Sequence, residues 1–194
     1  MLEQQKIMLQ TPGMALFDPA TLARFMAAHG IEATDLLQYF VDFPAVGDAA
    51  IAQGCLMPIY TIPIWDYTLV FNDRGAIATA PALVDAVLPA SMPLAISSGK
   101  LIVTDLLGLM DFDVDYYRNF PPAQERSGAD AEIELAPGNY AVQVATFIDR
   151  ADPDIENRLC GYEFLLRKVA QLPAMEDIGI DDIPYTIEHL TTLP

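Results

Sequence analysis

Three aspartates recur at every second position of the segment DFDVDYY, at Asp111, Asp113 and Asp115. Side chains at alternate positions of a β-strand project from one face, so on a strand these carboxylates would point the same way. Oxygen ligands placed like this could hold Ca²⁺ or Mg²⁺. The EF-hand calcium loop needs Gly at its sixth position and Glu at its twelfth, where this chain has Tyr116 and Pro122. An EF-hand is therefore excluded.

The same alternation has a simpler reading as a strand with one acidic face and one apolar face. In that reading Phe112, Val114 and Tyr116 face the core, and the three aspartates lie in solvent. The segment therefore predicts an exposed acidic strand, with a cation site as the alternative.

A second acidic cluster occupies the segment DRADPDIENR, with Asp149, Asp152, Asp154 and Glu156 in one stretch between two predicted strands. Loops that join the strands of a β-sandwich can bind calcium, so the two clusters could form one site if the fold brings them together. Two arginines in the segment favour instead a solvated loop with local ion pairs. Apart from calcium, the sequence predicts no cofactor.

Residues for covalent catalysis are few. The chain has two histidines, His29 and His189, and neither is near a recognisable nucleophile motif. The patterns GxSxG, GxxxxGK[ST], GxGxxG and HExxH do not occur. The two cysteines, Cys55 and Cys160, form no CxxC pair and are expected to be buried free thiols in a reducing compartment, unless the fold brings them together. No catalytic residue is predicted, and these features favour a binding protein over an enzyme.

The net charge is −17 and is unevenly distributed. Residues 1–100 carry 4 Lys and Arg against 9 Asp and Glu, a net of −5, and residues 101–194 carry 6 against 18, a net of −12. Such a surface repels phosphate, which argues against nucleic acid or anionic membrane as a partner and favours a basic protein. The alternative is that the acidity only maintains solubility.

The elements that must position these residues begin with helices. Asp18 and Pro19 are typical of a helix start and Gly30 of a helix end, so a helix is predicted over 19–29. A second helix starts at Thr34 and Asp35 and ends near Pro44, with an apolar stripe. The stripe comprises Leu36, Leu37, Phe40 and Val41. A third, short helix is predicted over 48–53. A DNA-binding helix-turn-helix is excluded because the second helix carries acids and no Lys or Arg.

Strand patterns begin at Gly54. Trp65, Tyr67, Leu69 and Phe71 alternate with polar or smaller residues, which predicts a half-buried strand. Further strands are predicted at 94–96, in KLIVTD, at 132–135, in NYAVQVATFI and in GYEFLLRKVAQL, whereas residues 81–88 fit a short helix or a loop.

The turns SSGK and APGN contain the glycines typical of hairpins and predict antiparallel neighbours. The sequence thus predicts one α+β domain over 1–194. A helical segment over 15–53 precedes an antiparallel β-sheet or sandwich body over 54–172, and an acidic segment over 173–194 ends in a possible last strand.

The order of features from WDYTLVF through PLAISSGKLIVTD and IELAPGNYAVQVATF to GYEFLLRKV resembles that of small bacterial inhibitor and immunity proteins. In particular it is similar to the inhibitor of the competence-associated DNA-entry nuclease. The resemblance covers roughly residues 65–170, and the N-terminal helices have no counterpart in it. It implies a β-sandwich that uses an acidic surface to block a basic enzyme.

The expected function is therefore stoichiometric binding of a basic partner, such as a nuclease or toxin. The residues expected to bind it are Asp111, Asp113, Asp115, Asp152 and Asp154. The alternatives are a β-sandwich that binds calcium or a small ligand and, third, a hydrolase with paired carboxylates. The start of the chain lacks the apolar stretch of a secretory signal, and no apolar run reaches membrane-spanning length, so a cytoplasmic location is expected.

Overall fold

The computed structural model describes residues 1–154, 157–174, 183–187 and 190. The helices are α1 (Pro19–His29), α2 (Leu36–Asp42), α3 (Pro44–Ala52), α4 (Leu107–Met110) and α5 (Val114–Arg118). The strands are β1 (Leu2–Met8), β2 (Gly13–Phe17), β3 (Met57–Tyr60), β4 (Asp66–Asn72), β5 (Val84–Ile96), β6 (Lys100–Asp105), β7 (Asp130–Glu134), β8 (Gly138–Ile148) and β9 (Cys160–Val169). The predicted α+β fold with a body rich in antiparallel sheet is confirmed.

The strands form two sheets. The five-stranded sheet has the order β1-β4-β9-β8-β5, and the four-stranded sheet has the order β3-β2-β6-β7. A large apolar core is built from residues of both sheets, whereas a second core lies between the four-stranded sheet and the helices. The molecule therefore has three layers in the order sheet, sheet, helices.

Strand β2 shows why the middle layer is buried on both faces. Met14 and Leu16 belong to the core between the sheets, whereas Ala15 and Phe17 belong to the core under the helices. Because alternate side chains of a strand point to opposite faces, every residue of β2 is apolar and buried. The helical segment and the β body thus share this strand.

Helix α1 has the ends that its sequence predicts. The Asp18 side chain accepts a hydrogen bond from the Thr21 amide at 2.7 Å, and Pro19 occupies the first turn. Gly30 ends the helix in the left-handed conformation at φ 64°, and its amide donates back to the last turn. Helix α2 starts in the same way at Asp35, whereas α3 begins at Pro44, earlier than predicted.

The two glycine turns do not join paired strands, and the hairpin prediction is wrong at both. The SSGK turn leads from β5 in the five-stranded sheet to β6 in the four-stranded sheet, and the APGN turn leads back from β7 to β8. The hydrogen-bonded partner of β5 is β8, and that of β7 is β6. A glycine turn reverses the chain, but the burial of both strand faces decides which strands pair.

The five-stranded sheet contains one parallel pair, β4 with β9, in which Thr68 lies opposite Gly161. A side chain at Gly161 would begin 1.7 Å from the Thr68 carbonyl oxygen, so this close approach requires glycine.

Strand β5 lies at the edge of the same sheet and begins at Val84, within the stretch 81–88 for which the sequence predicted a short helix or a loop. Its register with β8 is broken before Ser91, and Pro89 and Pro93 are tolerated because an edge strand leaves one row of amides unpaired.

Strands β1 and β2 lie before the helices and were not predicted, so the β body does not begin at Gly54. At the other end, residues 183–187 form no strand. Ile183, Tyr185 and Ile187 are nevertheless buried in the core between the sheets, and the Tyr162 hydroxyl donates to the Tyr185 carbonyl at 3.0 Å. The remainder of the predicted acidic segment, apart from residues 173–174 and Leu190, lies outside the described residues, as do Glu156 and His189.

Candidate interaction surface

The segment that carries Asp111, Asp113 and Asp115 is not a strand. It connects β6 to β7 through α4 and α5, and the three aspartates occupy the junction and the start of α5. Asp113 caps α5 by accepting hydrogen bonds from the amides of Asp115 and Tyr116 at 2.8 and 3.2 Å. All three aspartates are exposed, as expected, but the predicted common strand face does not exist.

The apolar residues between these aspartates also differ from the prediction. Phe112 is buried in the core under the helices, whereas Tyr116 is exposed and its neighbour Tyr117 is buried instead. A helix repeats every 3.6 residues and not every two, so the alternation of DFDVDYY does not separate core from solvent. The Phe112 amide donates to the Thr34 carbonyl at 2.8 Å, which joins this segment to the start of α2.

We use the name helical face for the exposed side chains of α2, α3, α4, α5 and the residues that join them. Helix α2 packs against both α3 and α4. Val41 is 66% exposed and Phe43 is 52% exposed, although the sequence predicted Val41 for the core stripe of α2. Leu107, Met110 and Tyr116 are also exposed. Half of the large apolar side chains that the described residues expose thus lie on this face, where much of their surface remains in contact with water.

The helical face is also acidic. Its exposed acids are Asp42, Asp48, Asp111, Asp113 and Asp115. Residues 36–52 contain no Lys or Arg, and in residues 106–119 the one cation, Arg118, lies 3.3 Å from Asp115. Exposed apolar and acidic side chains are therefore mixed on neighbouring helices with little positive charge between them.

The structure places Asp152 and Asp154 elsewhere, in the connection from β8 to β9. Asp152 accepts from the Asp154 amide at 2.9 Å, and Asp154 accepts from the Asn157 side chain at 2.9 Å. Arg158 donates twice to the Asp152 carbonyl. These contacts make the acids of this loop local supports of its turns. The five predicted binding residues thus fall into two groups on different elements.

Within the described ranges, no three His, Cys, Asp or Glu side chains come together in a way that could hold a metal ion. In the same ranges, no helix is long and apolar enough to cross a bilayer.

Two buried carboxylates are fully occupied by structural hydrogen bonds. Burial raises the pKa of Asp18, but hydrogen bonds from Ser98, Thr21 and Ser97 outweigh it and hold the pKa below its ordinary value. Glu163 accepts from Asn72, from the Ala78 amide at 2.7 Å and from the Thr79 amide at 2.8 Å, and these bonds lower its pKa against the effect of burial. Each carboxylate holds a loop in place through these hydrogen bonds and is too buried to contact a ligand.

The cysteines are buried and unpaired, as predicted. Burial raises the pKa of Cys55 to about 11 and that of Cys160 to about 12, so neither is a thiolate nucleophile at neutral pH. His29 ends α1 and stacks on Phe25 with a ring separation of 4.2 Å. The described residues therefore pair no thiol with a histidine base.

No family model matches the chain. None of the curated proteins matches it either. Among solved structures, it is similar to a chain described as "Crocagin biosynthetic gene J", at 12% identity and a TM-score of 0.44 over 85% of this chain and 97% of that one. A likeness of this extent leaves the function to be argued from the chain's own residues.

Sequence reasoning missed the apolar component of the helical face. The short helices α4 and α5 have no long periodic pattern, and Leu107 and Met110 look like core residues in the sequence. One signal was present in the sequence. Phe43 precedes Pro44, where a helix usually ends, and the stretch around it is too short to bury every one of its apolar residues.

Proposed function

We propose that this chain is a non-enzymatic binding protein that holds a basic protein partner on its helical face. The observation that carries the proposal is the mixture of exposed apolar and exposed acidic side chains on α2, α4, α5 and the residues that join these helices to their neighbours. Protein interfaces combine an apolar centre with a polar rim, and complementary charge accelerates association and selects the partner. Phe43 and Met110 would supply apolar contact, and Asp111 and Asp115 would attract the cations of the partner.

An inhibitor or immunity role, with a basic nuclease or toxin as the partner, is the specific form of this proposal. It is supported by the net charge of −17 and by the resemblance of residues 65–170 to such inhibitors. The surface proposed for the contact differs from the one expected from the sequence, because Asp152 and Asp154 support their own loop. We also infer a cytoplasmic location, which is supported by two cysteines that remain unpaired.

The proposal is tested by affinity capture from a lysate of the source organism, followed by mass spectrometry. We expect a basic protein that is retained at low salt and released at about 0.5 M salt, where the Debye length falls to about 4 Å. The double variant Asp111→Asn/Asp115→Asn should lose this protein and, in kinetic measurements with it, should associate about three- to tenfold more slowly with a weaker salt dependence.

The matched control is Glu125→Gln/Glu134→Gln, which removes the same charge from exposed acids outside the helical face. It should retain the partner, and a third double variant, Asp152→Asn/Asp154→Asn, should do so too. Equal loss of binding in all three variants would mean that only the total charge matters, and the helical face would then be the wrong surface.

A further inference from the structure

A cavity of about 510 Å³ opens at one end of the five-stranded sheet, away from the helices. Its wall is formed by residues 6–8 of β1, by residues 65–68 at the start of β4, by Gly128 and by residues 157–160 at the start of β9. This volume is within the range of 300–1,000 Å³ that is usual for small-molecule sites. The cavity is thus large enough for a small organic ligand.

The cavity is lined by two cations without an acidic partner among the described residues. Lys6 lies on β1, where its ammonium group is exposed and makes no ion pair with any described carboxylate. The half-buried guanidinium of Arg158 is held by the Asp152 carbonyl, which accepts from Nε at 3.1 Å and from Nη2 at 2.7 Å. That contact fixes the orientation of Arg158 without neutralising its charge.

Two cations that form no ion pair with a described carboxylate thus line one cavity, in a chain that has 10 Lys and Arg against 27 Asp and Glu. Four of the ten, Lys100, Arg118, Arg126 and Arg150, form ion pairs with described carboxylates. In so acidic a protein, a cation without a carboxylate partner is available to an anion from solution.

The cavity also contains the one tryptophan of the chain. Trp65 is half-buried, packs against the core between the sheets and lines the cavity. Met8 beside it is exposed, as is Leu159 across the opening. A flat ring could stack on the indole and remove apolar surface from water. The cavity therefore combines a planar apolar surface with positive charge.

One acid, Asp66, shares the wall. Burial is the main cause of the raised pKa of Cys160, the Asp66 charge raises this pKa further and the Arg158 charge lowers it. The Asp66 and Arg158 charges therefore act on the Cys160 thiol with opposite sign. Its negative charge reduces the attraction of the cavity for anions without cancelling it.

We propose that this cavity binds a small organic carboxylate with an aromatic ring. The ring lies against Trp65, and the carboxylate is bound by Lys6 and Arg158. This site does not depend on the helical face, which lies on the other side of the four-stranded sheet.

The test uses 4-(trifluoromethyl)benzoate as the probe, observed by ¹⁹F NMR line broadening at pH 7 and 0.15 M salt. We expect binding in the millimolar range or tighter, with a change in the emission of Trp65 over the same concentrations. The neutral 4-(trifluoromethyl)benzamide has the same ring and should bind at least about tenfold more weakly.

Three variants locate the site. Lys6→Gln should weaken benzoate binding about fivefold, whereas Arg74→Gln removes an exposed cation outside the cavity and should leave it unchanged. Asp66→Asn should tighten binding about threefold by removing repulsion, a gain that damage to the fold would not produce.

Three results would overturn the site: no binding up to about 10 mM benzoate, equal binding of the benzamide, or equal effects of the Lys6 and Arg74 substitutions. None of them would affect capture of a protein on the helical face, so the two proposals fail separately.

Discussion

Asp18 shows how one side chain can join two layers of the molecule. It is fully buried and caps α1, and it also accepts from the amides of Ser97 and Ser98 at 3.1 and 2.7 Å and from the Ser98 hydroxyl at 2.6 Å. Ser97 and Ser98 begin the turn by which the chain leaves the five-stranded sheet for the four-stranded one. A single carboxylate therefore fixes the start of a helix and a crossing between sheets.

The Asp18→Ala variant should lose about 3 kcal/mol of unfolding free energy, because it leaves several buried donors without an acceptor. The comparison is Asp35→Ala, which removes the cap of α2, where the side chain accepts only the Gln38 amide at 2.8 Å among the described contacts. That change should cost about 1 kcal/mol. Urea unfolding at pH 7 measures both. Equal losses would show that the contacts of Asp18 with the turn add nothing.

At the scale of elements, the parallel pairing of β4 with β9 holds the five-stranded sheet together. The two strands are far apart in sequence, and β9 lies between β4 and β8. Asn72 on β4 donates to Glu163 on β9 at 2.7 Å, and the amides of Ala78 and Thr79 cover the same carboxylate. The pairing therefore also fixes the loop that leads to β5.

Gly161→Ala should disrupt this pair, because the new methyl group would overlap the Thr68 carbonyl. The cost should be at least about 2 kcal/mol, since the obstacle is backbone and cannot change rotamer. Gly128→Ala is the control, because a Cβ at Gly128 meets nothing within 4 Å. Thermal unfolding compares the two variants. A Gly161→Ala protein as stable as the Gly128→Ala protein would mean that β4 and β9 do not approach as closely as described.

At the scale of the whole molecule, the dominant physical feature is the charge of −17. Some of it is balanced locally, as where Glu132 lies 2.6 Å from Arg126 and 3.1 Å from Lys100. The helical face has little such compensation. Charge of one sign keeps a protein soluble but opposes its compact state through mutual repulsion.

Raising NaCl from about 10 mM to about 0.3 M at pH 7 should therefore stabilise the protein by about 1 kcal/mol, or about 2 to 4 °C in Tm, because the repulsion is screened. Differential scanning calorimetry measures the shift. Asp111→Asn/Asp115→Asn has less repulsion to screen and should show a smaller increase. A Tm that falls with added salt would mean that ion pairs such as Arg126 with Glu132 outweigh the repulsion.

The sequence by itself determined features that depend on neighbouring residues. Asp18, Pro19 and Gly30 set the bounds of α1, and the alternation at Tyr67, Leu69 and Phe71 identified β4, whose side chains at these positions are buried. The acidity and the absence of catalytic motifs were equally readable, and they led to the expectation of a basic partner. Such signals are short-range, so no tertiary contact was needed to read them.

Tertiary structure alone decided which strands pair and which acids share a surface. The SSGK turn could equally join partners or cross between sheets, and it crosses because β5 pairs with β8 and β6 pairs with β2 and β7. Asp111 follows α4 and Asp115 lies on α5 because the segment packs Phe112 and Tyr117 against Phe17 of β2, which overrides the strand alternation. The cavity beside Trp65 is likewise formed by residues from four stretches that are far apart in sequence. Contacts between residues far apart in sequence have no local signature, so the sequence could name the acids but not assemble their surfaces.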